Sequence, residues 1–267
     1  MSEEVSKANR EGWSQFAYEA WVKGNGTPRE SARELAAAPW RRLAAYREYL
    51  GDLQGRRVAN LLGSNGKVAV CMALLGADVT VVDISSENAR YANEMAYEAG
   101  VSIRYVVSDV MAIPLDEYHS RFDIVIMELG ILHWLMDLDR FFHIVTKMLR
   151  EGGRMIVRDF HPMKAKALRW ENGAMVASGN YFDSEIHQGL VPYAKYLSEE
   201  QQEQLTQVRT RGWTLGEIVT SIAGSGLRIQ VLNEEAGASQ RWVFPEDAPE
   251  GIEDRLPGLY MIVADRV

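Results

Sequence analysis

The sequence predicts a doubly wound α/β fold: a seven-stranded, mostly parallel sheet with helices packed on both faces. Three observations predict it. Short β-branched runs alternate with helix-length stretches between residues 57 and 158, a rhythm that joins parallel strands through right-handed crossovers. Glycines mark the changes, at Gly63, Gly100 and Gly152-Gly153. Two more apolar runs near the C-terminus, Leu227–Leu232 and Leu259–Val263, lack a helix between them and should pair as antiparallel neighbours.

Residues 1–50 read as a helical cap ahead of the sheet domain at 51–267. Val5 to Trp21 reads as one aromatic-rich helix, closed by the turn Gly24-Asn25-Gly26. Thr27-Pro28-Arg29-Glu30 then opens a second helix running to Gly51. Thr27 can cap, Pro28 suits the first helical position, and Glu30 can return the capping-box bond. Val58–Leu62 is the first strand and Val68–Leu75 its helix. Asp78–Asp83 is the second strand. Ser85 caps a helix whose Ala89, Ala92, Ala96 and Ala99 share one face. Val101–Val107 and Phe122–Met127 are strands three and four. Leu135, Leu138, Phe142, Val145 and Leu149 mark an amphipathic helix, and Arg154–Arg158 is strand five. At about 161–212 the rhythm is lost, so this segment reads as an insertion over one end of the sheet. Thr214 with Glu217 opens the last helix, and the prolines at 245, 249 and 257 mark a loop.

The chain has 267 residues, 47% of them hydrophobic, and a formal charge of 29 − 37 = −8. This supplies a sizeable core and excludes disordered and disulfide-stapled classes. The single cysteine, Cys71, can neither bridge within the chain nor pair in a zinc cluster, and no metal-ligand cluster appears at useful spacing. A soluble, cytoplasmic protein is expected, because the N-terminus lacks a signal-peptide core and no apolar run approaches about 18 residues. A pI near 5.3 disfavours nucleic acid as a partner and leaves small molecules. A homodimer is the assembly allowed for.

In an open parallel sheet, ligands bind beyond the carboxyl ends of the strands near the switch point. Strand one leads into Gly63-Ser64-Asn65-Gly66-Lys67 and a helix N-terminus with unpaired N–H groups. Asp83 ends strand two, where a carboxylate can accept two bonds from a ribose diol, as NAD and adenosyl ligands both require. Solvated strand-end acids and helix caps occupy such places too. Ser108-Asp109-Val110 ends strand three, where an acid beside an apolar wall can accept from an adenine amine. Glu128-Leu129-Gly130 ends strand four, where Glu128 is a candidate base or an acid paired with a nearby cation. Together these strand ends make an adenosine-shaped pocket.

These residues resemble the class I S-adenosylmethionine-dependent methyltransferases, over roughly 55–160 and 213–265. The family's first motif is V-L-D-L-G-C-G-T-G, and Val58-Ala59-Asn60-Leu61-Leu62-Gly63-Ser64-Asn65-Gly66 aligns with it without a gap. The departures that bear on the site are three: Asn60 replaces the acid, and Leu62 and Ser64 replace two glycines. The resemblance implies a Rossmann-like methyltransferase fold whose last strand inserts antiparallel between strands five and six. It further implies S-adenosyl-L-methionine as cofactor and S-adenosyl-L-homocysteine as product. Asp83 would bind the ribose, Ile84 and Ser108-Asp109-Val110 would surround adenine, and Asn60, the 62–66 loop, Glu128 and Leu129 would complete the cofactor wall.

Methyl transfer from a sulfonium is an in-line displacement, in which alignment and water exclusion matter most and a base only where the nucleophile carries a proton. Glu128-Leu129-Gly130-Ile131 lacks the Asn-Pro-Pro-Tyr pattern of base- and amino-modifying relatives, so the chain resembles the small-molecule branch. Candidate bases are His133, His161 and Glu128. Tyr18 and Trp21 from the N-terminal helices, with Tyr181 from the insertion, are candidate acceptor contacts beside His133 and His161. Trp13, Tyr18 and Trp21 could fold over the pocket as a lid or pack as core aromatics, and Trp170, Tyr181 and Tyr193 of the insertion suggest a partly apolar acceptor cavity. His143 and His119 read as structural and loop residues, and His187 lies in the insertion. The alternatives are an RNA or protein methyltransferase on the same fold, a non-catalytic adenosyl-binding protein, and an NAD-dependent oxidoreductase.

Overall fold

A computed structural model describes residues 2–267. Strands β1 (Arg57–Leu61), β2 (Asp78–Asp83), β3 (Arg104–Val107), β4 (Phe122–Glu128), β5 (Leu149–Phe160), β10 (Leu227–Glu234) and β11 (Leu259–Arg266) form one seven-stranded sheet in the order β10-β11-β5-β4-β1-β2-β3. β1 pairs in parallel with β2 and β4, whereas β11 runs antiparallel to both β5 and β10. The expected insertion of the last strand is therefore what forms. The chain runs outward from β1 through β2 to β3 and then crosses back to β4 on the other side of β1, a reversal that opens a crevice beyond the carboxyl ends of β1 and β4.

Alternation along each strand divides the core between the two faces of the sheet. Ala59, Leu61, Val125 and Met127 pack against Phe141, Phe142 and Val145 of the helix Leu138–Met148, and against Ile218 and Ile222 of Leu215–Gly224. Val58, Val81, Ile124 and Ile126 point the other way, onto Met72 of Lys67–Leu74, Met95 of Ser86–Glu98, and Leu43 and Tyr46 of the N-terminal segment. The predicted caps are present: Ser85 accepts from Asn88 N, and Thr27 and Thr214 form capping boxes with Glu30 and Glu217.

The N-terminal segment is more broken than the periodicity predicts. Val5–Trp21 spans two helices, α1 (Ser2–Ser14) and α2 (Ala17–Asn25), because Phe16 takes a left-handed φ of 57°. The Thr27 helix, α3 (Pro28–Ala37), stops where Ala38 leaves the helical region before Pro39, a conformation the following proline enforces. Short helical turns then carry the chain to Leu50. The 161–212 segment holds two small antiparallel pairs, β6 (Arg169–Glu171) with β7 (Ala174–Val176) and β8 (Ile186–Gly189) with β9 (Val208–Arg211). Asn9 of α1 donates to Arg209 O at 3.1 Å and accepts from Arg209 N at 2.7 Å, which fastens the N-terminal helix to β9. No helix of the described residues is long and apolar enough to cross a membrane.

Candidate active site

The loop after β1 is shaped by three constraints. Leu62 and Ser64, the residues standing where the resembled motif has glycines, both adopt left-handed backbone with φ of 49° and 48°. Gly63 between them has no room for a side chain, because a Cβ would lie 2.7 Å from Asn60 Oδ1 and 2.6 Å from Val81 Cγ1. Asn60 donates from Nδ2 to Ile126 O at 3.3 Å, while its buried Oδ1 has no partner. A buried acceptor without a donor costs free energy that a ligand donor would recover.

Asp83 turns its carboxylate under this loop. Oδ2 accepts from Ser64 N at 2.9 Å, and Oδ1 from Ser85 N at 3.0 Å and Asn88 Nδ2 at 3.2 Å. Burial pushes its pKa up, and these hydrogen bonds oppose the shift. With three of about four acceptor positions filled, the carboxylate has less free capacity for a diol than the sequence suggests. Asp109 accepts from Met111 N at 2.8 Å and, through Oδ2, from the Ser6 hydroxyl of α1 at 2.5 Å.

These groups line a cavity of about 520 Å³ at the carboxyl ends of β1, β2 and β4. Asn60, Leu62, Gly63, Ser64, Asn65, Asp83, Ile84, Ser108, Asp109, Val110, Glu128 and Leu129 all reach its wall. Gly66 does not: it starts the helix with φ of 77°, and a Cβ there would sit 2.5 Å from Ala92 Cβ. Trp13 and Trp21 cover the cavity from the N-terminal helices, Trp21 donating to Asn88 Oδ1 at 2.7 Å. Trp13 packs edge-on against Trp134 and Tyr193, with centroids 5.4 and 5.5 Å apart.

The candidate bases separate clearly. Glu128 is ion-paired with Arg42 and accepts from the Tyr46 hydroxyl at 2.6 Å, so each of its oxygens already holds one donor and the side chain ties the N-terminal segment to β4. His161 faces away from the cavity: its Nε2 meets Glu234 Oε1 at 2.7 Å and its Nδ1 accepts from Met163 N at 3.1 Å. His133 does line the cavity, beside Trp134 at 4.6 Å between centroids. Burial holds its pKa below the ordinary histidine value, and the nearby Asp159 charge opposes that shift. A neutral imidazole facing a cavity can accept a proton. Tyr18 points elsewhere, its hydroxyl donating to Glu94, and Tyr181 accepts from Leu215 N at 3.1 Å at a helix start.

Two wall residues and one residue behind the wall were not among the sequence candidates. Arg42 and Lys67 lie at the end of the cavity nearest the β1 loop, where Lys67 Nζ donates to Asn25 Oδ1 at 2.9 Å and burial lowers its pKa. Only the Lys67 position, directly after the glycine turn, carried a signal. Asp159 sits behind the loop after β4, accepting from Gly130, Ile131 and Leu132 N–H groups.

Residues 62–157 match the family model described as a methyltransferase domain. A ubiquinone biosynthesis O-methyltransferase of Chelativorans sp. (strain BNC1) is 29% identical over 150 residues, 56% of each chain, so this chain spans about half the length of such relatives. An S-adenosylmethionine dependent methyltransferase from Mesorhizobium loti superposes with a TM-score of 0.64 at 23% identity, over 86% of this chain and 98% of that one. Geranyl diphosphate C-methyltransferase from Streptomyces coelicolor A3(2), solved with Mg2+, geranyl diphosphate and S-adenosyl-L-homocysteine, superposes with a TM-score of 0.58 at 14% identity, over 90% and 84%.

Proposed function

The chain carries the methyltransferase domain and fold of the class I S-adenosylmethionine-dependent methyltransferases, and from that premise we propose that it moves a methyl group from S-adenosyl-L-methionine to a small-molecule acceptor, leaving S-adenosyl-L-homocysteine. One observation carries the proposal: a single cavity is lined by an unpartnered buried acceptor, Asn60 Oδ1, by a half-buried ammonium, Lys67, by the apolar side chains of Ile131, Trp134, Leu135 and Phe160, and by a neutral imidazole, His133. When bound, the cofactor supplies an electrophilic methyl on a sulfonium.

Each protein group then has a task. Asn60 Oδ1 would accept from the ligand's ammonium and Lys67 would face its carboxylate, so opposite charges of an amino-acid tail meet complementary partners. Asp83 and Asp109 would hold the ribose and the adenine amine. Trp13, Ile131, Trp134 and Phe160 would exclude water and pack the acceptor. His133 would take the proton of an acceptor hydroxyl as its oxygen is methylated. The name of the Chelativorans relative supports an oxygen nucleophile. The acidic pI of about 5.3 supports a small acceptor over nucleic acid, and the lone buried Cys71 fits a reducing cytoplasm.

Calorimetry with S-adenosylmethionine, S-adenosylhomocysteine and NAD tests this. Binding of the first two and not NAD is expected, with Asp83→Ala weakening it at least several-fold. Binding of NAD alone, or of none of the three, overturns the proposal.

A further inference from the structure

Asp159 is buried, 4% exposed, and three of the four hydrogen bonds its carboxylate accepts come from one loop. Oδ1 accepts from Gly130 N at 2.5 Å and Phe160 N at 2.7 Å, and Oδ2 from Ile131 N at 3.1 Å and Leu132 N at 3.0 Å. Four donors saturate a carboxylate. The segment it gathers is unusual: Leu129 and Gly130 have φ of 54° and 77°, and the next residues enter the 3-10 turn Leu132–Trp134 that carries His133. No side chain from that turn caps it. Asp159 supplies from β5 the cap that the loop itself lacks.

We infer that Asp159 is a positioning residue for His133, fixing the loop that presents the imidazole and placing a buried negative charge that stabilises its protonated form. The inference rests on the proposed reaction, in which a proton leaves an acceptor hydroxyl for the imidazole. The imidazolium so formed returns that proton to solvent after turnover. Burial alone would make His133 a poor proton acceptor, and a fixed anion nearby offsets that penalty. The other charged groups on the cavity wall are Glu128 and Arg42, which neutralise each other, Lys67 and Asp83 at the β1 end, Asp109, and Asp137 with Arg140 on the side of the 138–148 helix. The charge that raises the His133 pKa is none of these but Asp159, which lies behind the loop rather than on the wall.

The test is histidine-ring NMR titration, with the His133 signal assigned by its loss in His133→Gln. In Asp159→Asn the midpoint of His133 should fall by about one pH unit, the scale of a removed neighbouring charge, while His119, His143 and His187 keep theirs. An unmoved His133 midpoint in a folded variant overturns the inference, because a loop-shaping carboxylate would alter melting and ligand affinity without selectively moving that titration. Should Asp159→Asn not fold, the unaltered protein decides: His133 must titrate before acid unfolding, and a ring that stays neutral throughout overturns the inference. Calorimetry with S-adenosylhomocysteine separates the two layers. No binding by the unaltered protein defeats the proposed function, whereas binding combined with an unmoved midpoint defeats only the role of Asp159.

Discussion

The hydroxyl of Tyr46 donates to Glu128 Oε2 at 2.6 Å, from a ring that is fully buried between the N-terminal segment and the sheet. Glu128 is also paired with Arg42, and the Arg158 guanidinium, 5.9 Å from the Tyr46 ring centroid, makes a two-pronged pair with Glu235 at 2.5 and 2.6 Å. Burial and the Glu128 charge hold the Tyr46 pKa well above the ordinary tyrosine value. The tyrosine is therefore a permanent donor, and Glu128 is a strut between the cap and β4.

Tyr46→Phe should destabilise the fold by about 1.5–3 kcal/mol, the usual worth of a hydrogen bond to a charged group. Urea unfolding checks it. If Glu128 acts as a strut, the variant retains its affinity for S-adenosylhomocysteine within about threefold, since a lost donor of this kind is felt chiefly in stability. A loss of binding without a loss of stability would place Tyr46 in ligand recognition instead.

The loop after β1 makes two similar residues behave oppositely. Left-handed backbone costs a non-glycine residue about 1–2 kcal/mol, and glycine's extra unfolded-state entropy returns about 0.5–1. Ser64→Gly should therefore be neutral or stabilising by up to about 1.5 kcal/mol. Leu62 pays the same strain, but its side chain packs on the core beneath the sheet. Leu62→Gly should destabilise by about 1–3 kcal/mol, because the lost burial outweighs the relief. Thermal melts of the two variants should move apart, and equal shifts would show that packing at Leu62 is negligible.

The same loop shows what was legible in the sequence. Strand ends were readable because β-branched runs and glycine turns report local constraints, and Asp83, Asp109 and His133 follow from counting to those ends. The left-handed turn was not, since Leu62 and Ser64 disguise a conformation that neighbours enforce: Leu62 N bonds to Val82 O at 2.7 Å and Ser64 N to Asp83. His161 and Glu128 looked alike as candidate bases because partner choice is tertiary: Glu234 and Arg42 lie 73 and 86 residues away in the chain. Asp159 carried no signal, because its four donors are backbone groups that any residue would supply.

Stability should fall as the pH is lowered through the histidine range. Both His133 and His161 have pKa values held below the ordinary value, in each case by burial first, opposed by Asp159 and Glu234. The unfolded chain then binds protons that the folded chain refuses, so the contribution is fully present above about pH 6.5 and is lost as the pH falls through the folded values. Melting between pH 8 and 5 should show a declining Tm, and His133→Gln should flatten part of the slope. A variant whose slope equals that of the unaltered chain would mean that His133 already titrates like an exposed ring.

Ligand release should depend on the seam between α1 and β9. Asn9 is 6% exposed, and its two bonds to the Arg209 backbone clasp the cap to the insertion at β9, beside further bonds from Tyr193 to Gly12 O and from Thr206 N to Gln15 Oε1. Val5, Ser6 and Trp13 on the same helix line the cavity, so a ligand leaving past α1 must part this seam. Asn9→Ala removes both partners and leaves a backbone donor and acceptor of Arg209 unpaired, at a cost of about 1–3 kcal/mol for each group that stays dry. Because Ser6 and Trp13 still anchor α1 to Asp109 and Ser85, the helix should loosen without unfolding the sheet. Hydrogen exchange should therefore rise in residues 2–14 and 208–211 and stay unchanged in β1 and β4. Dissociation of S-adenosylhomocysteine, followed by stopped flow, should quicken by about tenfold if roughly 1.4 kcal/mol of closure is lost. Faster exchange in the helix with an unaltered dissociation rate would show that the ligand leaves by another route.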